Sequence, residues 1–360
     1  MTWRPALGAA ALALTTCCAA SHAQPIGYEA MMAELKAAAA TGRVRVARIG
    51  TSVAKRPIPL VVIGPDNAAT RVLVLCRQHG DEPVSTEAAM SVVRRAVAAD
   101  RALRASLHGV QLLILPMLNP DGGQRFRRLN TNGVDLNRDW LLRSQPETRA
   151  VASLFRRLAP QVVLDEHEWT VEDACGSDSL ETTGAVNHVA HVIQRGSLSA
   201  GDDTGVQLKP GFYTSASDPR LAHHYFQSKG AAAFLLETTP AVPAKERLAL
   251  YARMIVRMGH VAALYAPPGN ASAHASELPR MFEEARAPVR TASTHLPALG
   301  AIVMGALALL FAAAARTDGR RSDVLEPSPL RRVPLGQVRD LSARLKRRHA
   351  HGTPRASLAA

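Results

Sequence analysis

Four residues carry the chemistry this sequence offers: His79, Glu82, His167 and Glu237. His79 and Glu82 stand three positions apart in Cys76-Arg-Gln-His-Gly-Asp-Glu82, between the aliphatic run 71–75 and a stretch of helical apolar spacing over 83–97. In the turn from a strand's carboxyl end to a helix, such a pair can face one metal ion. Open α/β sheets bind their ligands at that place. His167 closes a second apolar run, Gln161-Val-Val-Leu-Asp-Glu-His167, and Glu237 closes a third, Ala231-Ala-Ala-Phe-Leu-Leu-Glu237. Two imidazoles and one carboxylate leave a position open on Zn²⁺, as catalytic sites do and structural sites do not. A metal held this way lowers the pKa of a bound water and polarises a carbonyl. Glu237 is then placed to act as general base. A lone His at a strand end is ordinarily a satisfied polar group, so the reading rests on three strand ends converging.

The elements that must bring them together alternate between strands and helices. Tyr28–Ala40 reads as a helix, and the segments 43–50 and 58–64 read as antiparallel edge strands. A buried strand over 110–118 ends in the turn cluster Asn119-Pro-Asp-Gly-Gly123. Pro146–Leu158 is helical, with proline in its first turn and Glu147 near the positive helix end. After the strand that carries His167 come a polar connection over 169–185, a helix to about residue 196, a loop containing Tyr213 and a helix over 218–228. The strand carrying Glu237 and a closing helix over 244–265 follow. The expected fold class is α/β, a mixed, mostly parallel sheet flanked by helices. Strand neighbours face opposite ways, so Glu166 and Glu168 should turn from the metal while Asp165 lies near it.

Four motifs in order, His79-Gly-Asp-Glu82, Asn119-Pro-Asp-Gly122, Gly133-Val-Asp-Leu-Asn137-Arg138 and Leu236-Glu237-Thr238, resemble the M14-type zinc carboxypeptidases over roughly residues 43–265. The resemblance implies a carboxypeptidase A-like fold and one Zn²⁺ per chain, held by His79, Glu82 and His167. It implies that Arg128 polarises the scissile carbonyl, with Arg125 and Arg127 as rivals for the role. Asn137 and Arg138 would grip the terminal carboxylate of a peptide, a task suited to a guanidinium fork. Asp135 would orient the first histidine. Tyr213 would cap the substrate, with Tyr225 as its rival. The interval from Glu82 to His167 is 85 residues, shorter than in the animal digestive enzymes, and the floor of the specificity pocket has no assignable residue. Two other readings stand beside the peptidase: an N-acyl amino acid deacylase of the aspartoacylase or succinylglutamate desuccinylase type, and a catalytically silent peptide-binding protein. Export and anchoring argue against the first, and retention of Glu237 against the second.

The chain has 360 residues and a formal net charge of +13. From Arg316 onward there are eleven Lys/Arg against four Asp/Glu, a net of +7, so over half of the excess lies in the tail. No nucleic-acid motif accompanies it, and nucleic acid is not an expected partner. Arg4, the apolar stretch 6–14 and small residues ending at Ser21-His22-Ala23 read as a signal peptide. Leu14-Thr-Thr-Cys17 is similar to a lipoprotein box, with Thr16 a poor fit before the cysteine. Residues 296–315 are uncharged and long enough for a membrane span. Arg316, Arg320 and Arg321 behind them put the tail inside. The expected layout is a signal peptide at 1–23, a catalytic domain at 24–266, a linker with one helical piece at 267–295, a transmembrane helix at 296–315 and a basic cytoplasmic tail at 316–360. The tail's Leu335, Val338, Leu341 and Leu345 among basic residues suit an anionic inner leaflet. Ala- and Arg-rich usage suggests a bacterium, which would make the catalytic compartment the periplasm. Cys17 and Cys18 would leave with the signal. Cys76 and Cys175 could bridge there, though a buried thiol is the simpler reading of Cys76.

Overall fold

The computed structural model describes residues 25–169, 176–183, 187–213, 218–267 and 277–286. The expected signal peptide, the membrane span at 296–315, the basic tail and Cys175 lie outside the described residues. Among those described, no helix is long and apolar enough to cross a membrane.

One eight-stranded sheet organises the chain. Its strands are β1 (Arg45–Thr51), β2 (Pro57–Ile63), β3 (Thr70–Cys76), β4 (Val110–Leu115), β5 (Val162–Glu168), β6 (Ser179–Thr183), β7 (Lys209–Tyr213) and β8 (Ala232–Thr238). They lie in the order β1-β2-β4-β3-β5-β8-β6-β7. The centre, β4-β3-β5-β8, is parallel; β1-β2, β2-β4 and β8-β6 are antiparallel, and β6-β7 is parallel again. Every residue of β3, β4 and β5 is buried, as expected of strands covered by helices on both faces. The antiparallel edge β1-β2 and the buried strands ending in His79, His167 and Glu237 agree with the sequence expectation.

The helices are α1 (Tyr28–Ala40), α2 (Val84–Val97), α3 (Arg101–Ser106), α4 (Pro120–Arg125), α5 (Pro146–Leu158), α6 (His188–Asp202), α7 (Ala222–Ser228), α8 (Ala244–Tyr265) and α9 (Glu277–Arg286). The two-residue strand period sorts the core into two layers. Val72, Val74 and Cys76 of β3 join α1, α2, α6 and α8 on one face. Leu73 and Leu75 join α5, α7, Trp140, Leu278 and Met281 on the other.

The structure departs from the expectation in four places. β6 lies inside the stretch read as a polar connection, and β7 in the stretch read as a loop around Tyr213. Their sequences, Ser-Leu-Glu-Thr-Thr and Lys-Pro-Gly-Phe-Tyr, lack the aliphatic run of a central strand; pairing of β6 with β8 and of β7 with β6 supplies what propensity does not. The turn cluster at Asn119 winds into α4, with the Asn119 side chain capping Gly122 N. The helical piece within the expected linker, α9, packs on β1 and α5 and buries Leu278 and Met281.

Candidate metal centre

β3 ends at Cys76, and Arg77 follows in the left-handed region (φ 56°). That turn redirects the chain, and the buried Arg77 guanidinium secures it by donating to the carbonyls of Gly80, Gly123 and Ile26. Gly80 then passes so close to α4 that a Cβ would collide with the backbone of Gly122, Gly123 and Arg127; glycine is demanded by approach, not by torsion. Asn119 ties the two loops together by donating to the carbonyls of Gln78 and Arg128. The spacing of chemistry in these two loops is thus a packing arrangement that holds His79, Glu82 and Arg128 at one rim.

At that rim three donors converge. His79 Nδ1 lies 2.6 Å from Glu82 Oε1, His167 Nδ1 lies 2.9 Å from Glu82 Oε2, and the two Nδ1 atoms are 3.1 Å apart. All three residues are buried, and they form the one His/Cys/Asp/Glu group among the described residues able to hold a metal ion. The far nitrogens of the imidazoles have carboxylate partners: His79 Nε2 is 3.0 Å from Asp135 Oδ1, and His167 Nε2 is 3.3 Å from Asp165 Oδ1. Ligating histidines are oriented in this way in zinc sites. Burial alone would raise the Glu82 carboxyl, but the two imidazoles hold it at about 2. Burial opposes charge on His167, yet Asp165 and Glu82 outweigh it and keep its pKa well above the usual imidazole range. An excess of carboxylate around two imidazole nitrogens is the donor set that fits Zn²⁺.

Glu237 enters through strand pairing: in the parallel β5-β8 ladder it is the register partner of His167. It lines a cavity of about 230 Å³ with His79, Glu82, Arg128 and Arg138. Burial, reinforced by the charges of Glu82, Asp165 and Glu181 and opposed by His167, pushes its carboxyl up to about 8. Arg128 reaches Asp135 Oδ2 at 3.2 Å and Glu82 Oε1 at 3.4 Å, while Arg125 and Arg127 are exposed. Geometry therefore selects Arg128 among the three arginines. Arg138 lines the cavity and lies 3.4 Å from Asp218.

Two expected substrate-binding residues line the cavity and also hold hydrogen bonds within the protein. The Asn137 amide is buried: its Oδ1 accepts from Ala222 N at 3.0 Å and its Nδ2 lies 3.2 Å from His167 Nε2. It braces α7 against the second histidine. Tyr213 lines the cavity, but its hydroxyl donates to the Ala233 carbonyl at 2.8 Å and its ring stacks on His223. Its rival Tyr225 packs against Trp140 and Phe226 in the core. Glu166 faces the opposite layer, where the free thiol of Cys76 lies 3.5 Å from it. Glu168 caps Val84 N and pairs with Arg247.

Sequence reasoning passed over Gln78, Asp165 as a partner of the second histidine, Glu181 and His223. Gln78 donates to Asp165 at 2.7 Å and accepts from Trp140 Nε1 at 2.9 Å. Its position beside His79 was the available signal. Glu181 had none, because β6 was not legible; His223 lies on the helix expected over 218–228, and nothing in the sequence aimed that helix at the site.

Residues 28–171 match the Peptidase_M14 zinc carboxypeptidase family model, a span that includes all three metal-site residues. Residues 28–171 are thus similar to a zinc carboxypeptidase domain. A curated relative, carboxypeptidase 2 of Trichophyton tonsurans, is 30% identical over 112 residues, which is 31% of this chain and 21% of that protein. The chain therefore aligns with about a fifth of the relative's length. Among solved structures, a metallo-carboxypeptidase from Burkholderia cenocepacia superposes with a TM-score of 0.59 at 21% identity, over 67% of this chain and 70% of that one. A metallo-carboxypeptidase from Pseudomonas aeruginosa, in complex with (2-guanidinoethylmercapto)succinic acid, gives 0.55 at 20% identity, over 67% and 69%. These likenesses place the fold of this chain beside those enzymes. Glu237 lies beyond the family match and is brought to the site by the β5-β8 register alone.

Proposed function

We propose that the chain is a zinc-dependent carboxypeptidase that hydrolyses the C-terminal amide bond of peptides. The reading is carried by one observation: His79 and Glu82 of the His79–Glu82–His167 triad line a cavity that also presents a buried carboxylate, Glu237, and two guanidinium groups, Arg128 and Arg138. Zn²⁺ bound by the triad supplies Lewis acidity at the scissile carbonyl and lowers the pKa of water beside it. Glu237, in its ionised form, accepts a proton from the attacking water and returns it to the departing amine. Arg128 donates to the carbonyl oxygen as negative charge develops there. Arg138 takes the free C-terminal carboxylate in place of Asp218. Asn137 and Asp135 keep the two imidazoles in orientation, and the ring of Tyr213 forms a wall of the pocket.

The segments 1–23 and 296–315 support an exported enzyme with a single C-terminal membrane span, its catalytic domain outside the cytoplasmic membrane and its basic tail within.

The test compares C-terminally free peptides, their amidated counterparts and N-acyl amino acids, with and without chelator. Free peptides should be cleaved, amidated ones poorly, and chelator should stop turnover. Glu237→Gln should lower kcat by roughly 10²–10⁴-fold with zinc content unchanged. A normal rate in that variant removes Glu237 from its role, and preferential hydrolysis of N-acyl amino acids replaces the peptidase with a deacylase.

A further inference from the structure

The wall of the cavity away from the metal is built by β6, β7 and α7, and it has an unmet chemical demand. His223, on α7, is 1% exposed and lines the cavity, yet neither ring nitrogen has a hydrogen-bond partner. One ring face is covered by Tyr213, whose centroid is 3.9 Å away, and His224 packs beside it at 4.8 Å. Burial, with smaller effects from the charges of His224, His167 and Arg138, pushes the His223 pKa down to about 3. The ring is therefore neutral at working pH, offering one N–H and one bare nitrogen. Leaving two such atoms dry and unpaired is costly.

Glu181, on β6, lines the same cavity. Its side chain accepts a hydrogen bond from Ser179 Oγ at 3.0 Å, and no lysine or arginine among the described residues pairs with it. Gly211 on β7 lies opposite; a Cβ there would collide with the Glu181 side chain, so the sheet leaves room for this carboxylate and for nothing larger beside it. Among the described residues, the cavity thus holds a carboxylate without a paired cation and an imidazole without a hydrogen-bond partner.

We infer that this cavity selects substrates whose C-terminal residue ends in a cationic amine or guanidinium, with Glu181 pairing the charge and the bare nitrogen of His223 accepting one of its N–H groups. An apolar side chain would leave both groups unsatisfied. An acidic one would meet Glu181 and Glu237. A carboxamide would satisfy His223 but leave Glu181 without a counter-charge. A cation answers both. The inference rests on the carboxypeptidase reading and specifies its substrate class.

The experiment uses the full-length, zinc-loaded chain and five peptides that differ only in the last residue: Lys, Arg, Leu, Gln or Glu. The expected kcat/KM for Lys and Arg exceeds that for Leu by about 10-fold or more. Glu181→Gln should lower the Lys-to-Leu ratio by about 10-fold or more, and Glu181→Lys should shift preference toward the Glu-terminated peptide. His223→Leu should raise KM for Lys and Arg more than for Leu. Circular dichroism and zinc content check the fold of each variant, and the wild-type panel decides even if a variant misfolds. Preference for Leu, Gln or Glu, or an unchanged ratio in folded Glu181→Gln, overturns the inference while the peptidase stands. Cleavage of none of the five overturns the peptidase reading and this inference together.

Discussion

On the metal side of the cavity the ring nitrogens of both ligating histidines are matched within the protein. His79 has Glu82 and Asp135, His167 has Glu82 and Asp165, and Asp165 has Gln78, which in turn holds Trp140. On the opposite wall, among the described residues, His223 has no partner for either nitrogen and Glu181 has no cation. One region is preorganised for a small ion of fixed geometry, so its orientation is set by the chain itself. The other leaves its hydrogen-bonding capacity for whatever enters. A buried polar network that is complete rigidifies; one that is incomplete signals a missing component.

The largest effect should come from breaking the complete side at its centre. His167→Ala removes a donor and strips Glu82 and Asp165 of a partner. Zinc binding should weaken by more than the roughly 100-fold that loss of an outer partner costs, and turnover should vanish with it. Full zinc occupancy in this variant, measured by elemental analysis, would contradict the assignment. Asp135→Asn should be milder, about 10–100-fold in zinc affinity, read by competition with a chelator. An unchanged affinity would mean that Asp135 does not orient His79.

Arg128→Ala tests the arginine choice. It should lower kcat by roughly 10²-fold or more, as loss of an oxyanion donor does, whereas the exposed Arg127→Ala should leave kcat within about twofold. Equal losses would show that the loop, and not the guanidinium facing Glu82, matters.

A different kind of effect belongs to the unsatisfied wall and appears in stability. The folded protein keeps His223 neutral down to about pH 3, while the unfolded chain takes up that proton near 6.5. Between those values the unfolded state binds more protons, so stability falls as pH drops through the window, by up to about 1.4 kcal/mol per pH unit. Denaturant titrations of His223→Leu should lack this component. Parallel pH profiles for the two proteins would contradict it.

The same division marks what the sequence made legible. The metal side hangs on β3, β5 and β8, whose aliphatic runs end in His79, His167 and Glu237, so strand ends and chemistry could be read together. Gly80 and Gly122 were legible as motif members, though only the structure shows that their backbones touch. The opposite wall hangs on β6 and β7, five residues each, rich in polar residues and carrying Pro210 and Gly211. Such strands exist because β8 offers an edge, and no local pattern announces that. Glu181 consequently had no context until the sheet was assembled, and His223, on the expected helix α7, had no cavity to face until then. Asn137 and Tyr213 show a subtler limit: motif position brought both to the cavity, but their hydrogen bonds to Ala222 and Ala233 are decided by elements far along the chain.

The central claim, that His79, Glu82 and His167 hold one catalytic zinc ion, is tested most directly by X-ray absorption on active, full-length protein at the zinc edge. The account predicts one zinc per chain with two imidazole nitrogens at about 2.0–2.1 Å and a carboxylate oxygen at about 2.0–2.2 Å. Active protein without transition metal, or with zinc lacking imidazole ligands, would contradict it.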